Sequence, residues 1–322
     1  MSLLSALQSG QVLLMDGAMG SELYQAGLEP GECGEAWNLT RPQRVRAVHE
    51  AYAAAGARCL LTNTFQANPC TLVRHHREAD LERIVIAGIR LACAAAGRDG
   101  FVLGDIGPLL ISDSDQEFSD WSDLGRVIEA FLDPTASARP PFASPKPGDQ
   151  ARRRAGLDGL LLETCSTPRA LSAVEFIRRR LLDNDEMPIL LSLAYLRRAD
   201  GSLVTYSGHT PETFARHAAR HGVTALGVNC GREIDMDDII EVVRRYRATT
   251  DLPLFARPNA GTPRTEAGHL VYPRTPQQMT QGLPELLEAG VAMVGGCCGT
   301  TPAHIAAFRP IVEAWNARHA SA

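Results

Sequence analysis

The sequence predicts an α/β fold, a (β/α)8 barrel of the TIM type, built as one domain over residues 1–322. Short apolar segments alternate with amphipathic segments along almost the whole chain, which is typical of βαβ units and a parallel sheet. Eight such apolar segments are present, the number that closes this kind of barrel. The length of 322 residues also lies within the range of a single barrel.

The eight predicted strands are rich in Leu and Val, and most of them end in a polar residue or in glycine. This pattern indicates strands that are buried on both faces and carry chemistry at their carboxyl ends. In chain order the predicted strands are residues 12–16, 59–64, 102–106, 160–163, 189–193, 225–229, 254–256 and 292–295.

The predicted helices share a start signal. Four Thr-Pro pairs, at 167–168, 210–211, 275–276 and 301–302, precede helical patterns. Thr can accept a hydrogen bond from an unpaired amide of the first turn, and Pro at the first helical position gives up no donor that the helix needs. The predicted helices are residues 42–55, 168–182, 211–221, 237–249, 276–289 and 302–317.

A doubly wound open sheet is the second fold that this order of elements allows, because a sequence does not show whether a sheet closes. Residues 16–20, which follow the first strand, lack the full dinucleotide fingerprint of many open sheets. Residues 133–148 are dominated by Pro, Ala and Ser and cannot form a helix interior. We expect a Pro-rich irregular loop or lid there.

Composition excludes several functional classes. The net charge of −5 and the lack of a basic stretch argue against nucleic acid and against an anionic membrane surface as partners. The first residues form neither a basic region nor a long apolar region, and no apolar run is long enough to span a membrane. We therefore expect a cytoplasmic protein.

Cysteines mark a candidate metal site. Cys230 follows the sixth predicted strand, and Cys297 and Cys298 follow the eighth. Because every strand of a parallel barrel ends on the same face, three thiolates can meet there. Glycines beside Cys297 and Cys298 allow the tight turn that adjacent ligands of one ion need.

Three thiolates favour a soft or borderline metal, and Zn²⁺ is the usual one in the cytosol. A set of three protein ligands leaves one position for substrate, as in catalytic zinc sites. Buried, inert thiols are the other interpretation, and spacing alone leaves both open for these three. We expect inert thiols for the remaining five cysteines, Cys33, Cys59, Cys70, Cys93 and Cys165.

Seven motifs resemble those of the homocysteine S-methyltransferase family. This family includes betaine- and S-methylmethionine-dependent enzymes and the homocysteine module of cobalamin-dependent methionine synthase, and its fold is a (β/α)8 barrel. The motifs occur in the family's order and cover nearly the whole chain. They are Asp-Gly-Ala-Met-Gly at 16–20, Thr-Asn-Thr-Phe at 62–65, Gly-Asp-Ile-Gly-Pro at 104–108, Leu-Leu-Glu-Thr at 161–164, Gly-Val-Asn-Cys at 227–230, Pro-Asn-Ala-Gly at 258–261, and Gly-Gly-Cys-Cys-Gly-Thr-Thr-Pro-Ala-His-Ile at 295–305.

The resemblance implies zinc-dependent methyl transfer to the thiol of L-homocysteine, giving methionine, with Cys230, Cys297 and Cys298 as the metal ligands. A free thiol has a pKa near about 8.5 and is a poor nucleophile at neutral pH, whereas zinc deprotonates a coordinating thiol. The methyl donor implied is S-methylmethionine, S-adenosylmethionine, betaine or a methylcorrinoid protein.

Further residues are expected to hold the amino-acid end of homocysteine. Glu163 and Asp16 are the candidate catalytic and substrate-binding carboxylates, with Glu163 as the partner of the ammonium group. The Gly17 amide is expected to reach the substrate carboxylate, with Thr64 adding a hydroxyl. Each carboxylate has a second interpretation, in which Glu163 caps a helix and Asp16 only fixes its loop.

Two more residues are predicted to line the site. The amide oxygen of Asn259 is expected to occupy the fourth zinc position until the substrate arrives, with turn formation before Gly261 as the alternative. Ser192 ends the fifth strand and is expected either to line the substrate pocket or to pack in the core.

The chain departs from the family pattern at residues 133–148 and at Thr164-Cys165-Ser166, where a further acidic residue is common. Two other functions also fit the sequence. One is the homocysteine-activating subunit of a split corrinoid-dependent methionine synthase, since no corrinoid-binding Asp-x-His-x-x-Gly motif is present. The other is a zinc-binding or redox-sensing barrel without catalysis.

Overall fold

Eight parallel strands form the centre of the computed structural model, which describes residues 1–108, 121–133, 156–180, 187–231, 233–266 and 269–319. Two short antiparallel hairpins lie outside this sheet, one pairing Tyr195–Arg197 with Leu203–Thr205 and the other pairing Arg264–Glu266 with His269–Val271. The strands are β1 Leu13–Leu14, β2 Cys59–Leu61, β3 Phe101–Ile106, β4 Gly159–Cys165, β5 Ile189–Leu193, β6 Tyr195–Arg197, β7 Leu203–Thr205, β8 Ala225–Asn229, β9 Leu254–Arg257, β10 Arg264–Glu266, β11 His269–Val271 and β12 Val291–Val294.

The sheet closes into a barrel. Its strand order is β1-β12-β9-β8-β5-β4-β3-β2, so each barrel strand pairs with its neighbour in the chain. A parallel bridge between Met15 and Cys59 joins the two ends of that order. The predicted (β/α)8 barrel is therefore confirmed, and the open doubly wound sheet is excluded.

Helices follow the strands and cover the outside of the barrel. The α-helices are Leu3–Leu7, Met19–Gln25, Trp37–Thr40, Pro42–Ala55, Pro69–Leu72, Leu81–Ala96, Trp121–Phe131, Arg169–Arg180, Pro211–Ala218, Met236–Arg247, Pro276–Thr280, Leu283–Glu288 and Pro302–His319. Short 3-10 helices span Val73–His75, Glu78–Asp80 and Ala219–His221.

The start and stop signals of the sequence place several helix ends. Pro42–Ala55 has its predicted bounds and stops at Gly56, which adopts a left-handed φ of 109°. The side chain of Thr275 accepts a hydrogen bond from the Gln278 amide and so caps the helix Pro276–Thr280. The Thr-Pro signal therefore marks real helix starts.

The predicted helix 276–289 is wrong as a single element, because the structure divides it. One helix ends at Thr280 and a second begins at Leu283. Pro284 explains the break, since in a continuous helix its ring would clash with the Thr280 carbonyl and it has no amide to donate. Gly282 lies at the break, where an added Cβ would collide with Met236.

Two apolar clusters form the core. Side chains from every barrel strand fill the interior, and residues of the first helix, Leu3, Ala6 and Leu7, pack against them. The larger cluster lies between the strands and the outer helices. Successive residues of a strand alternate between the two clusters, as Leu160 and Leu161 do. The barrel is thus a packed core, and its chemistry is confined to the mouth.

Two predictions are not tested by the described residues. The Pro-rich segment 133–148 lies outside the described residues, apart from Asp133. The extent of the domain over residues 1–322 stays a prediction. Within the described ranges, none of the helices is both long and apolar enough to cross a bilayer.

His49 makes the fold sensitive to acid. It is fully buried in the helix Pro42–Ala55, and neither ring nitrogen has a partner among the described residues. Burial lowers its pKa to about 4, whereas the pKa of a histidine in an unfolded chain is about 6.5. As the pH falls from about 6.5 to 4, the unfolded chain therefore binds a proton that the folded chain does not bind.

We expect His49→Leu to remove this acid penalty. The free energy of unfolding of the native chain should fall relative to that of the variant by roughly 3 kcal/mol between pH 7 and pH 4, because each pH unit contributes up to about 1.4 kcal/mol. Urea unfolding at several pH values measures the difference. A difference that stays constant over this range would contradict the assignment to His49.

Candidate active site

Three cysteine sulfurs meet at the mouth of the barrel. Cys230 directly follows β8, and Cys297 and Cys298 lie three and four residues beyond the end of β12. The Sγ atom of Cys298 lies 3.8 Å from that of Cys230 and 3.9 Å from that of Cys297. All three sulfurs lie within 4.8 Å of one another.

These spacings fit a tetrahedral metal ion. With metal–sulfur bonds of about 2.3 Å, two ligands of a tetrahedron lie about 3.8 Å apart. A second observation agrees, since Asn259 Oδ1 is buried beside the cluster and has no hydrogen-bond partner among the described residues. The Nδ2 atom of the same amide lies 3.7 Å from Cys230 Sγ. Because the amide nitrogen faces Cys230 Sγ, the amide has to turn over to present this oxygen to a cation among the sulfurs.

The thiol cluster favours ionisation of Cys230. Hydrogen bonds from the thiols of Cys297 and Cys298 lower the pKa of Cys230 to about 3. The interaction with Cys230 in turn raises the pKa of Cys297 to about 11 and that of Cys298 further above its ordinary value. Without a metal, Cys230 is therefore a thiolate, and Cys297 and Cys298 remain protonated thiols. Binding of a divalent cation would release the protons of these two thiols.

Side-chain hydrogen bonds and close packing hold the loop that carries Cys297 and Cys298. The Thr300 hydroxyl donates to the Cys297 carbonyl at 2.7 Å and accepts from the Ala18 amide at 3.2 Å. The Tyr52 hydroxyl lies 2.9 Å from the carbonyl oxygens of both Ala18 and Thr300. A Cβ on Gly296 would collide with the Thr300 side chain, so only glycine fits there.

Asn229 links the cysteine site to neighbouring strands. Its Nδ2 donates to Thr164 Oγ1 at 2.8 Å and lies 3.6 Å from Cys297 Sγ. The hydroxyl of Ser192 donates to Asn229 Oδ1. Ser192 is fully buried and is not among the residues that line the cavity described below. Its contact with Asn229 therefore orients a neighbour of the cysteines.

Four charged side chains converge beside the cysteines. Asp16 follows β1, and Asp105, Glu163 and Arg257 lie at the ends of β3, β4 and β9. Arg257 pairs through Nη1 with Glu163 Oε1 and through Nη2 with Asp16 Oδ1 at 3.2 Å. Each of the four is at most 7% exposed. Three carboxylates thus face one guanidinium in a nearly dry environment.

Burial dominates the titration of these groups. It raises the pKa of Asp16 and of Glu163 to about 7, although the Arg257 charge opposes the rise in both. Burial, followed by the Glu163 charge, raises the pKa of Asp105 well above its ordinary value. A cation placed among the three carboxylates would therefore be favoured, because the cluster has more acidic than basic groups.

Arg257 and Asp105 are site residues that sequence reasoning missed. An arginine beside a proline usually indicates an exposed position, and nothing in the sequence shows that its partners come from β1 and β4. Asp105 belongs to a quoted motif, but no role was expected of it. Their position could have identified them, since both residues lie at the carboxyl ends of predicted barrel strands. The active sites of barrel enzymes are found at this end.

The expected substrate-binding residues mostly surround one cavity. It has a volume of about 390 Å³ and is lined by Asp16, Gly17, Thr64, Asp105, Glu163, Arg257 and the three cysteines, among others. This volume lies within the range of small-molecule sites, about 300–1,000 Å³. The structure thus brings the charged cluster and the cysteines to the same space, with Asn259 beside Cys230.

Thr64 and Gly17 have clear structural tasks at this cavity. Thr64 Oγ1 donates to the Asp105 carbonyl at 2.8 Å, and Thr62 Oγ1 accepts from the Asp105 amide at 2.9 Å. The Thr64 proton is therefore engaged in holding the end of β3. A Cβ on Gly17 would lie 2.7 Å from Thr300 Oγ1 and 2.8 Å from the Tyr52 ring, so the wall requires glycine there.

We expect Gly296→Ala to weaken metal binding by at least about tenfold, since residues that orient metal ligands contribute about 10- to 100-fold to affinity. The added methyl group must displace Thr300 and with it the Cys297 carbonyl. Titration with Co²⁺, followed by thiolate-to-metal absorption, measures the change. Gly20→Ala is the matched control, because a Cβ at Gly20 meets nothing within 4 Å. Equal affinities for the two variants would contradict this account of the loop.

Known proteins with this architecture include a metal-binding relative. The structure of the homocysteine methyltransferase MmuM from Escherichia coli in its metallated form has a TM-score of 0.68 and 26% sequence identity, covering 95% of this chain and 98% of that chain. The oxidised form of the same protein has a TM-score of 0.65 and 28% identity. The described cysteines form a site that can hold a metal, and a structural relative holds one.

Sequence relatives are larger proteins. The chain is 29% identical over 310 residues to the methionine synthase of Mycobacterium tuberculosis. The aligned region covers 92% of this chain and 24% of that protein. The match to the methionine synthase of Mycobacterium leprae has the same identity and coverage. The chain thus spans about a quarter of the length of these two relatives.

The predicted family is confirmed by a match over nearly the whole chain. The model of the homocysteine S-methyltransferase family covers residues 13–312. This range contains all seven motifs, the three cysteines and the four charged residues of the cavity. The chain therefore belongs to the homocysteine S-methyltransferase family.

Proposed function

We propose that this chain transfers a methyl group to the thiol of L-homocysteine in a zinc-dependent reaction that gives methionine. The observation that carries the proposal is the placement of three sulfurs at tetrahedral spacing on the wall of a cavity whose other wall is charged. A thiol that bears an amino-acid group needs both features. The family and the metallated relative support the same chemistry.

The three cysteines are the residues that would hold Zn²⁺. When bound, the metal supplies a deprotonated, electron-rich acceptor thiolate at neutral pH. Asn259 lies next to Cys230, and its unpartnered Oδ1 is the candidate for a fourth ligand in the resting protein. Asn229 donates to Cys297 Sγ, and Ser192 in turn donates to Asn229. Hydrogen bonds of this kind orient the ligands of metal sites.

The carboxylates on the opposite wall suit the ammonium group of homocysteine. Glu163 and Asp16 keep the role proposed from the sequence, although both also contact Arg257. Asp105 joins them, because its Oδ1 is buried without a partner among the described residues. The Gly17 amide remains the proposed donor to the substrate carboxylate. Thr64 acts on this wall by holding Asp105.

The methyl donor is proposed by class, as an activated methyl group on sulfonium, quaternary ammonium or a corrinoid. Incubating the zinc-loaded chain and homocysteine with S-methylmethionine, S-adenosylmethionine, betaine or a methylcorrinoid protein, and measuring methionine, identifies the donor. Each donor differs from the others in the leaving group alone, so homocysteine binding serves as the common reference.

A second candidate function keeps the acceptor chemistry and changes the assembly. The chain matches 24% of the length of two methionine synthases, so it corresponds to one part of those two proteins. It would then act as the homocysteine-activating subunit of a split enzyme, with the methyl group arriving from a corrinoid-bearing partner. Methionine formation with the methylcorrinoid protein alone would favour this candidate.

We expect homocysteine to add a sulfur to the metal. Zinc K-edge absorption of the loaded chain should change from three sulfurs and one lighter atom to four sulfurs when L-homocysteine is added, because the fourth position of a three-cysteine site is open to substrate. Asn259→Ala tests the resting ligand in the same measurement. An unchanged metal environment would instead indicate the non-catalytic zinc barrel.

We expect Glu163→Gln to weaken homocysteine binding by about 10- to 100-fold, because hydrogen bonds to charged groups contribute about 1.5–3 kcal/mol. Binding of 4-sulfanylbutanoate, which has the thiol and the carboxylate but no ammonium, should change little. Isothermal titration calorimetry on the zinc-loaded protein measures both. Glu212→Gln is the matched control, since Glu212 pairs with Arg245 away from the cavity. Equal losses for the two ligands would remove Glu163 as the ammonium partner.

A further inference from the structure

Arg257 is a buried cation whose bonding is incomplete. It is 3% exposed and lines the cavity. Its two terminal nitrogens contact Glu163, Asp16 and the Gly17 carbonyl, but Nε has no hydrogen-bond partner among the described residues. A buried donor without a partner is costly. An anion from outside the protein is the partner that this edge of the guanidinium lacks.

The position of Arg257 indicates which anion this is. Its Nη2 lies 3.2 Å from the Gly17 carbonyl oxygen, so the guanidinium adjoins the residue whose amide we propose for the substrate carboxylate. The hydroxyl of Thr64, the other expected donor to that carboxylate, is engaged with the Asp105 carbonyl. Arg257 therefore places a charged donor beside Gly17, and its planar group suits a carboxylate.

We propose that Arg257 is a specificity-determining residue that binds the α-carboxylate of the acceptor, an inference that rests on the proposed function. The acceptor's ammonium group joins Glu163, Asp16 and Asp105, and its carboxylate takes the Nε edge of Arg257. Each charge of a zwitterion thus meets its opposite. Binding adds one pair between the ligand ammonium and the carboxylates and one between the ligand carboxylate and Arg257 to the two ion pairs that Arg257 already makes with Glu163 and Asp16. The amino-acid end of the ligand carries no net charge.

This role makes the acceptor an amino acid, since a thiol that lacks the carboxylate leaves the Arg257 edge unpaired and buried. Sites with polar groups that only the correct ligand satisfies reject analogues strongly. We therefore expect the native chain to bind homocysteine more tightly than 3-aminopropane-1-thiol, which is homocysteine without its carboxylate.

The test compares these two ligands in Arg257→Met, which removes the charge and keeps the chain length similar. Calorimetric titration of the zinc-loaded protein should show homocysteine binding weakened by about 10- to 100-fold, and 3-aminopropane-1-thiol binding changed by less than about threefold. Arg245→Met, which removes another partly buried arginine with a carboxylate partner, should leave both affinities unchanged.

Arg257→Lys guards against loss of the fold, because it keeps a charge beside Glu163 and Asp16. It lacks the planar edge, so the preference for homocysteine over 3-aminopropane-1-thiol should still fall. Equal weakening of both ligands would show that Arg257 only positions the carboxylates, and would overturn the inference. Unchanged homocysteine binding would also overturn it. Native protein that binds no homocysteine would instead mean that the proposed function has failed.

Discussion

The site depends on the way the barrel closes at Met15 and Asp16. The Met15 amide donates to Val294 on the last strand, and the Asp16 amide donates to Cys59 on the second. The Asp16 carbonyl accepts from the amide of Gly296, next to Cys297, and its carboxylate accepts from the Leu61 amide at 2.8 Å. Met15 and Asp16 therefore join the first, second and last strands. They also fix the position of the loop that carries Cys297 and Cys298.

This closure explains why glycines surround the cysteines. Gly295 packs so closely on Met15 and Asp16 that an added Cβ would lie 2.5 Å from the Asp16 carbonyl oxygen. Gly299 takes a φ of 77° and contacts Tyr272, so it also has no room for a side chain. Cys230 itself has a φ of 50°, a region that residues other than glycine seldom occupy. Strain of this kind persists where the surrounding structure holds it, which is common at functional sites.

Sequence reasoning reached the architecture because strand and helix signals are local. Eight apolar segments gave the strands, and local start and stop signals gave most ends of the six predicted helices, to within a few residues. They failed where Pro284 divides one predicted helix, and the helices Leu81–Ala96 and Trp121–Phe131 were not predicted. The cysteine site was also accessible, since strand ends of a parallel barrel share one face. Arg257 was not accessible, because its burial and its partners come from strands far apart in the chain. For the same reason the sequence did not show that the Thr64 hydroxyl is already engaged.

The order of the strands places Arg257 beside the cysteine site. β9 lies between β8 and β12, so Arg257 at its end stands between the strands that carry the two halves of the cysteine site. Asp105 and Glu163 come from β3 and β4, farther around the barrel. An acceptor that pairs with both groups is fixed at its amino-acid end, and its thiol is then delivered to the cysteines with little remaining freedom. Restricting motion in this way lowers the entropic part of a reaction barrier. In the proposed function, the buried guanidinium would supply what the carboxylates alone could not, because they would bind the ammonium and leave the α-carboxylate of the acceptor free to rotate.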